Sequence, residues 1–207
     1  MPAPDASKVA AELPENLFSA PPVRAAESVV AFRYSSYDVP FWVRPNSRAG
    51  RWNVPGDGPT QYWSLTPDGA WAELIRFEEL RSEGELDFVR IAIWVCRVPT
   101  MRLVDLREPE TCGRYGLGVT DLTGDDWSRC QAASKAIRSD GARGILTPSA
   151  ALPSTVNVTL FGPRRAIAFD RTPALASAVP ATVVAIGRPP AGLVNRVIRR
   201  TVSPTLF

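Results

Sequence analysis

The chain has 207 residues, 45% of them apolar, and a formal net charge of +3. That is enough for one domain with its own core; no apolar run approaches the ~20 residues of a membrane span, and the charge is too small and too dispersed to argue for nucleic acid. Histidine is absent, which removes Ser-His and Cys-His nucleophiles, the zinc-peptidase helix motif and most zinc sites together.

Residues 1–28 read as an N-terminal arm rich in Ala, Pro and Glu, with a short helix expected around Ala6 to Leu13. Acids and prolines stand there in place of the basic start and apolar stretch of a signal peptide, so the expected location is the cytoplasm. Thr60 to Leu65 reads as a strand. Thr66 then caps a helix, with Pro67 at its first position, running to about Ser82. Phe88 to Val98 is β-branched and aromatic, a central strand, and Met101 to Leu106 is another. Asp125 or Asp126 starts a second helix that ends near Asp140-Gly141. Gly144 to Thr147, Thr155 to Phe161 and Ala166 to Asp170 are short strands. Residues 172–207 form a Pro- and Ala-rich extension packed on the same domain, with a strand at Ala181 to Gly187. Strands and helices do not alternate strictly, so the class is α+β.

Any chemistry must run on carboxylates, hydroxyls, arginines and backbone amides. Cys96, Cys112 and Cys130 are odd in number and widely spaced, which suggests neither a disulfide framework nor a metal site. Nearly all the cation is arginine, since only Lys8 and Lys135 are lysines. Arginine suits a bidentate grip on phosphate, although most of these side chains read equally well as solvated surface.

Five stretches stand out: Phe32-Arg33-Tyr34, Gly50-Arg51-Trp52-Asn53, Gln61-Tyr62-Trp63-Ser64, Trp71-Ala72-Glu73-Leu74, and Thr147-Pro148-Ser149-Ala150 with Asn157 beyond. Taken singly each has a bland reading. Tyr62 and Trp63 suit a core, Ser149 a turn after proline, and Arg33 a surface. Glu73 is less bland. The apolar arc of its helix runs from Leu80 through Phe77, Ala70, Leu74 and Trp71 to Ile75, and Glu73 falls inside it. A carboxylate there needs a partner. Glu78 falls in the same arc, so the wheel alone does not choose between them.

In this order and spacing the stretches, from about Ala31 to Pro163, resemble the RES domain, named for an arginine, a glutamate and a serine. The arginine matches Arg33, with Arg51 the second choice; the glutamate matches Glu73 and the serine Ser149. Pro148-Ser-Ala-x-x-Pro-x-x-x-Asn157 also looks like the family's pattern. After Asn157 many relatives continue with an Asn-Pro and a histidine, whereas this chain reads Val158 to Arg164. The resemblance implies residues 29–171 as the catalytic domain. It also implies a fold like the ADP-ribosyltransferases, two small β-sheets framing an NAD cleft with flanking helices.

The implied function is that of a toxin in a toxin–antitoxin pair, cleaving the nicotinamide–ribose bond of NAD by hydrolysis or phosphorolysis. NAD is then substrate, with inorganic phosphate a candidate co-substrate and no prosthetic group or metal. The leaving nicotinamide is a cationic ring that departs neutral, so no general acid is required. One carboxylate, Glu73, suffices to steady an oxocarbenium-like transition state. Arg33 and Arg51 would grip the pyrophosphate, and Tyr62, or else Tyr34, would stack on the nicotinamide. Ser149 would hold ribose or orient Glu73, with Trp52, Asn53 and Asn157 lining the site. The implied partner is an Xre-like antitoxin with a helix-turn-helix region, and this chain is expected as a homo-oligomer or as a hetero-oligomer with that antitoxin; no direct contact with nucleic acid or membrane is expected. Two other readings stay open: a protein ADP-ribosyltransferase using the same site, and an NAD-binding module without turnover.

Overall fold

The computed structural model describes residues 28–35, 38–99, 102–173, 175 and 177–201. The helix expected around Ala6 to Leu13 lies outside the described residues. Strand β1, Ser28–Ser35, is followed by β2, Thr60–Ser64. Thr66 then caps α1, Pro67–Phe77, its hydroxyl accepting from Gly69 N at 3.0 Å, with Pro67 where a missing N–H costs nothing. Helix α1 stops at Phe77 and does not reach Ser82. Glu79 adopts a left-handed φ of 56°, and Leu80 N donates back to Ile75 O at 3.0 Å, the closure usually built on glycine. Ser82 then caps a separate short helix, α2, Glu83–Leu86, through a reciprocal box with Glu85.

Because α2 and its following turn take up the chain, β3 begins at Ile91 and runs to Pro99, and Phe88 is left on the surface, 88% exposed. Strand β4 is Leu103–Asp105. Two short helices absent from the sequence reading follow, α3 at Pro109–Arg114 and α4 at Val119–Thr123. Helix α5, Ser128–Ser139, begins two residues after Asp126, whose Oδ1 accepts from Ser128 N at 2.9 Å, while Asp125, the other expected start, is paired with Arg76. It ends before Gly141 at a φ of 79°. Strands β5, Gly144–Pro148, β6, Val156–Phe161, β7, Arg165–Ile167, and β8, Ala178–Gly187, complete the sheet, and a 3-10 turn at Leu193–Asn195 follows.

The strand order is β4-β5-β6-β2-β1-β3-β8-β7. Among the described residues only β4/β5 and β7/β8 pair in parallel. Strands β1 and β2 are joined by the single pair Phe32↔Ser64, whereas β1 and β3 pair along their whole length. The expected two small sheets therefore take the form of two four-stranded halves seamed at one residue pair. Helix α1 lies over that seam, touching both β1 and β2.

Alternation along β1 divides the core. Phe32 and Tyr34 pack with Trp71, Leu74 and Ile75 of α1, while Val29 and Ala31 join Trp63, Cys96 and Val158 on the other face. Helix α5 covers a third cluster around Trp52, Leu106 and Phe161. Leu193, Val194 and Val197 enter the α1 cluster, and Ile198 N donates to Ala151 O at 2.9 Å. Among the described residues no helix is long and apolar enough to cross a membrane.

Candidate active site

The site begins with how closely α1 can approach the strands. A Cβ at Gly69 would overlap Ser64 Oγ and stand 2.9 Å from Thr66 Oγ1, so glycine lets the helix start against β2 with both hydroxyls in place. Ser64 is paired with Asn157 of β6, and Asn157 with Thr147 of β5. The next turn of α1 thus sets Glu73 against the ends of those strands. Its Oε1 accepts two hydrogen bonds, from Ser149 Oγ at 2.8 Å and from Asn157 Nδ2 at 2.6 Å. The Ser149 hydroxyl has one proton to give. Its oxygen already accepts from Ala151 N at 3.1 Å and Leu152 N at 3.2 Å, so that proton goes to Glu73. Asn157 Oδ1 is buried and has no hydrogen-bond partner among the described residues. The ambiguity of the helical wheel is resolved here: Glu73 is half-buried at the strand ends, and Glu78 is exposed beyond the helix end.

Tyr34 leaves β1 on the α1 side. Burial first, and then the negative charge of Glu73, push its phenol above the usual tyrosine range, so it stays protonated. Arg51 lies within electrostatic reach of Glu73 as well. Burial holds its guanidinium below the ordinary arginine range, against the pull of Cys130 and Glu73. Arg51 donates to Asp121 O at 3.0 Å and stands 5.9 Å over the Trp127 ring. No carboxylate pairs with it among the described residues.

Arg33 leaves β1 on the face opposite Tyr34. It donates to Gln61 Oε1 at 3.2 Å and lies 5.8 Å over Trp42. Burial pushes it down to about 10, and the groups that act on it are Tyr34, Cys96 and Tyr62, with Glu73 not among them. Tyr62 also has other work. Its hydroxyl donates to Asn53 Oδ1 at 2.7 Å and accepts from Trp52 N at 3.0 Å. Gly50 is packed so tightly there that a Cβ would stand 2.6 Å from the Tyr62 oxygen. Trp52 and Asn53 are 2% exposed each. The Gly-Arg-Trp-Asn turn is therefore clamped from beneath by Tyr62, Trp52 and Asn53, and it presents Arg51.

Hydrogen bonds thus join Glu73, Ser149 and Asn157, Tyr34 and Arg51 stand within their field, and Arg33 and Tyr62 are bonded elsewhere. Sequence reasoning missed Arg76, one turn beyond Glu73. This buried arginine donates to Asp125 Oδ1 at 2.7 Å and to Ile198 O at 2.6 Å. It also missed Trp127 and Arg200, whose guanidinium lies 4.9 Å over that indole. The three are far apart in sequence and carry no shared motif.

A family model for the RES domain matches residues 21–182. The chain belongs to the RES family. Within it, this RES domain is 32% identical over 126 residues to the Probable NAD(+) phosphorylase Rv3189 of Mycobacterium tuberculosis, covering 56% of this chain and 55% of that protein. It is 30% identical over 103 residues to the NAD(+) phosphorylase MbcT of Mycobacterium bovis, covering 49% of this chain and 55% of that protein. The chain spans about half the length of the curated relatives it matches. Among solved structures, the RES domain superposes on the crystal structure of the M. tuberculosis MbcT-MbcA toxin-antitoxin complex. The TM-score is 0.59 at 24% identity, over 76% of this chain and 84% of that one, a likeness of fold.

Proposed function

We propose that this RES-family protein cleaves the nicotinamide–ribose bond of NAD and passes the ADP-ribosyl group to inorganic phosphate. The single observation that carries the reading is the Glu73 carboxylate. Two donors hold its Oε1, and no cation pairs with it among the described residues. Such a carboxylate has charge to spend on a developing oxocarbenium ion and a second oxygen for a ribose hydroxyl. The C1–N bond breaks with its electron pair moving to the ring nitrogen, which neutralises the pyridinium. A phosphate oxygen then bonds to the ribose carbon. The names of the two mycobacterial relatives support phosphate as the acceptor.

Arg51 and Tyr34 serve substrate binding in this reading, Arg51 toward phosphate and Tyr34 beside the nicotinamide ribose. Arg33 contributes by bracing the β1–β2 seam through Gln61. The protein acts in the cytoplasm as a growth-arresting toxin, restrained by a partner protein that covers the cleft. The toxin–antitoxin complex of the structural neighbour supports such a pairing. A cleft lined by arginine would accept an acidic or carboxylate-bearing segment of the partner.

The test is nicotinamide release from purified protein with and without phosphate, for the wild type and Glu73→Gln. Phosphate-dependent release, lost in the Gln variant by about a hundredfold or more, is the expected result. Release independent of phosphate would make water the acceptor, and label from NAD retained in protein bands would make it an ADP-ribosyltransferase. A folded Gln variant with full turnover would overturn the assignment of Glu73.

A further inference from the structure

The C-terminal segment after residue 182 lies outside the family match, yet it carries a residue into the neighbourhood of the site. Arg200 stands 4.9 Å over one indole, Trp127, and Arg51 stands 5.9 Å from the same ring. Arg200 also lies 5.6 Å over Phe77 at the end of α1, and its charge is among those that reach the Tyr34 phenol. Neither Arg51 nor Arg200 has a carboxylate partner among the described residues. Arg200 Nε and Trp127 Nε1 are both buried donors without an acceptor there.

Beside Arg200 is a cavity of about 300 Å³ lined by Arg76, Glu79, Arg81, Arg199 and Arg200. Four of its five lining side chains are cationic. Arg76 is neutralised by Asp125 at 2.7 Å, and Arg81 reaches Glu79 only at 3.9 Å. Arg199 is committed to the carbonyls of Leu80 and Val194. Arg200 is thus the cation of this group with neither an acid nor a carbonyl bound to it among the described residues.

Guanidinium groups held near one another repel, and buried donors without acceptors are costly. Both penalties fall when a multivalent oxyanion enters, and phosphate matches the guanidinium fork. We infer that the Arg200 cavity, beside the Trp127 ring that Arg51 also faces, is a phosphate-binding subsite supplied by the C-terminal segment. The oxyanion is either free inorganic phosphate or the pyrophosphate of the dinucleotide. This inference rests on the proposed function for its substrate but not for its binding chemistry.

The experiment is titration calorimetry of the full chain with two probes, inorganic phosphate and ADP-ribose, in the wild type, Arg200→Gln, Arg200→Lys and, as a charge control, Arg114→Ala on the exposed face of α3. Arg200→Gln keeps much of the stem that packs on Trp127 and Phe77 while removing the fork. It should weaken at least one probe by about tenfold or more, with Arg200→Lys intermediate and Arg114→Ala like the wild type. Loss confined to phosphate identifies a free-phosphate subsite, and loss confined to ADP-ribose a pyrophosphate subsite. If the Gln variant does not fold, the Lys variant carries the comparison, with weakened binding expected. Wild-type affinity for both probes in a folded Arg200 variant overturns the proposal, as does a wild type that binds neither probe at millimolar concentration. Binding is read without turnover, so a protein that bound phosphate through Arg200 but released no nicotinamide would overturn the proposed activity and leave the subsite standing.

Discussion

Ser149 and Glu73, 76 residues apart in sequence, meet through one hydrogen bond of 2.8 Å in which the hydroxyl donates to Oε1. The serine cannot turn elsewhere, because its oxygen is occupied by the N–H groups of Ala151 and Leu152. The carboxylate is therefore aimed by a residue that is itself aimed by the backbone.

Removing that aim should slow the reaction more than it weakens binding. Ser149→Ala and Asn157→Leu are expected to lower kcat by about tenfold or more with a smaller change in KM for NAD. Steady-state nicotinamide release against NAD concentration separates the two parameters. A KM effect with kcat unchanged would make both residues substrate ligands, with no role in holding Glu73.

The two tyrosines should part company. Tyr62→Phe removes a hydroxyl that serves both Asn53 and Trp52 N. Its loss leaves buried groups unsatisfied, so stability should fall by about 1–3 kcal/mol, read as a lower denaturation midpoint. Tyr34→Ala should raise KM for NAD in a chain that still folds. Equal midpoints for wild type and Tyr62→Phe would remove its clamping role.

Gly69→Ala should be more damaging than an ordinary helix substitution, where alanine is favoured. Here the added Cβ overlaps Ser64 Oγ and stands 3.1 Å from its Cβ, so either the serine turns away from Val156 O or α1 lifts from β2 and takes Glu73 with it. Both the melting temperature and nicotinamide release are expected to drop. A more stable, fully active Gly69→Ala would show that the helix has room to spare.

Asp125→Asn should release the C-terminal segment. Asp125 binds Arg76 through Oδ1 and both Thr201 N and Thr201 Oγ1 through Oδ2. Arg76 is 5% exposed and would be left as an uncompensated charge, at a cost of about 3 kcal/mol or more. Limited proteolysis should cut the chain near residue 200 in the variant before the wild type. Identical digestion patterns would argue that the segment is held by its apolar contacts alone.

The cysteines should be silent at neutral pH. All three are buried, and burial pushes the Cys130 thiol up to about 11 and the Cys96 thiol up to about 12. Alkylation of the native protein should be negligible at pH 8 and complete on unfolding. These groups have folded values above their unfolded ones, so the folded state holds their protons longer. Their contribution is full below the unfolded value near 9.0 and is lost as pH climbs through 11 and 12. Stability should therefore decline over that alkaline range, and a rise across it would contradict the assignment.

The sequence alone determined the α+β class, the cap at Thr66, the placement of Glu73 on a helix and of Ser149 just after a strand. Each of these is a local property, set by hydrophobic periodicity or by the turn chemistry of a few neighbours. Tertiary structure alone decided which carboxylate faces the site, because Glu73 and Glu78 share one apolar arc and only α1's early end at Phe77, before the left-handed Glu79, leaves the second exposed. It decided that Arg33 and Tyr34, adjacent in β1, leave it on opposite faces, and that Tyr62 spends its hydroxyl on Asn53 and Trp52. It also brought Asp125, Trp127 and Arg200 to the end of α1. A chain with 24 basic residues gives each the same charge, and only the packing around each arginine decides whether it meets a carboxylate, an indole or a backbone carbonyl.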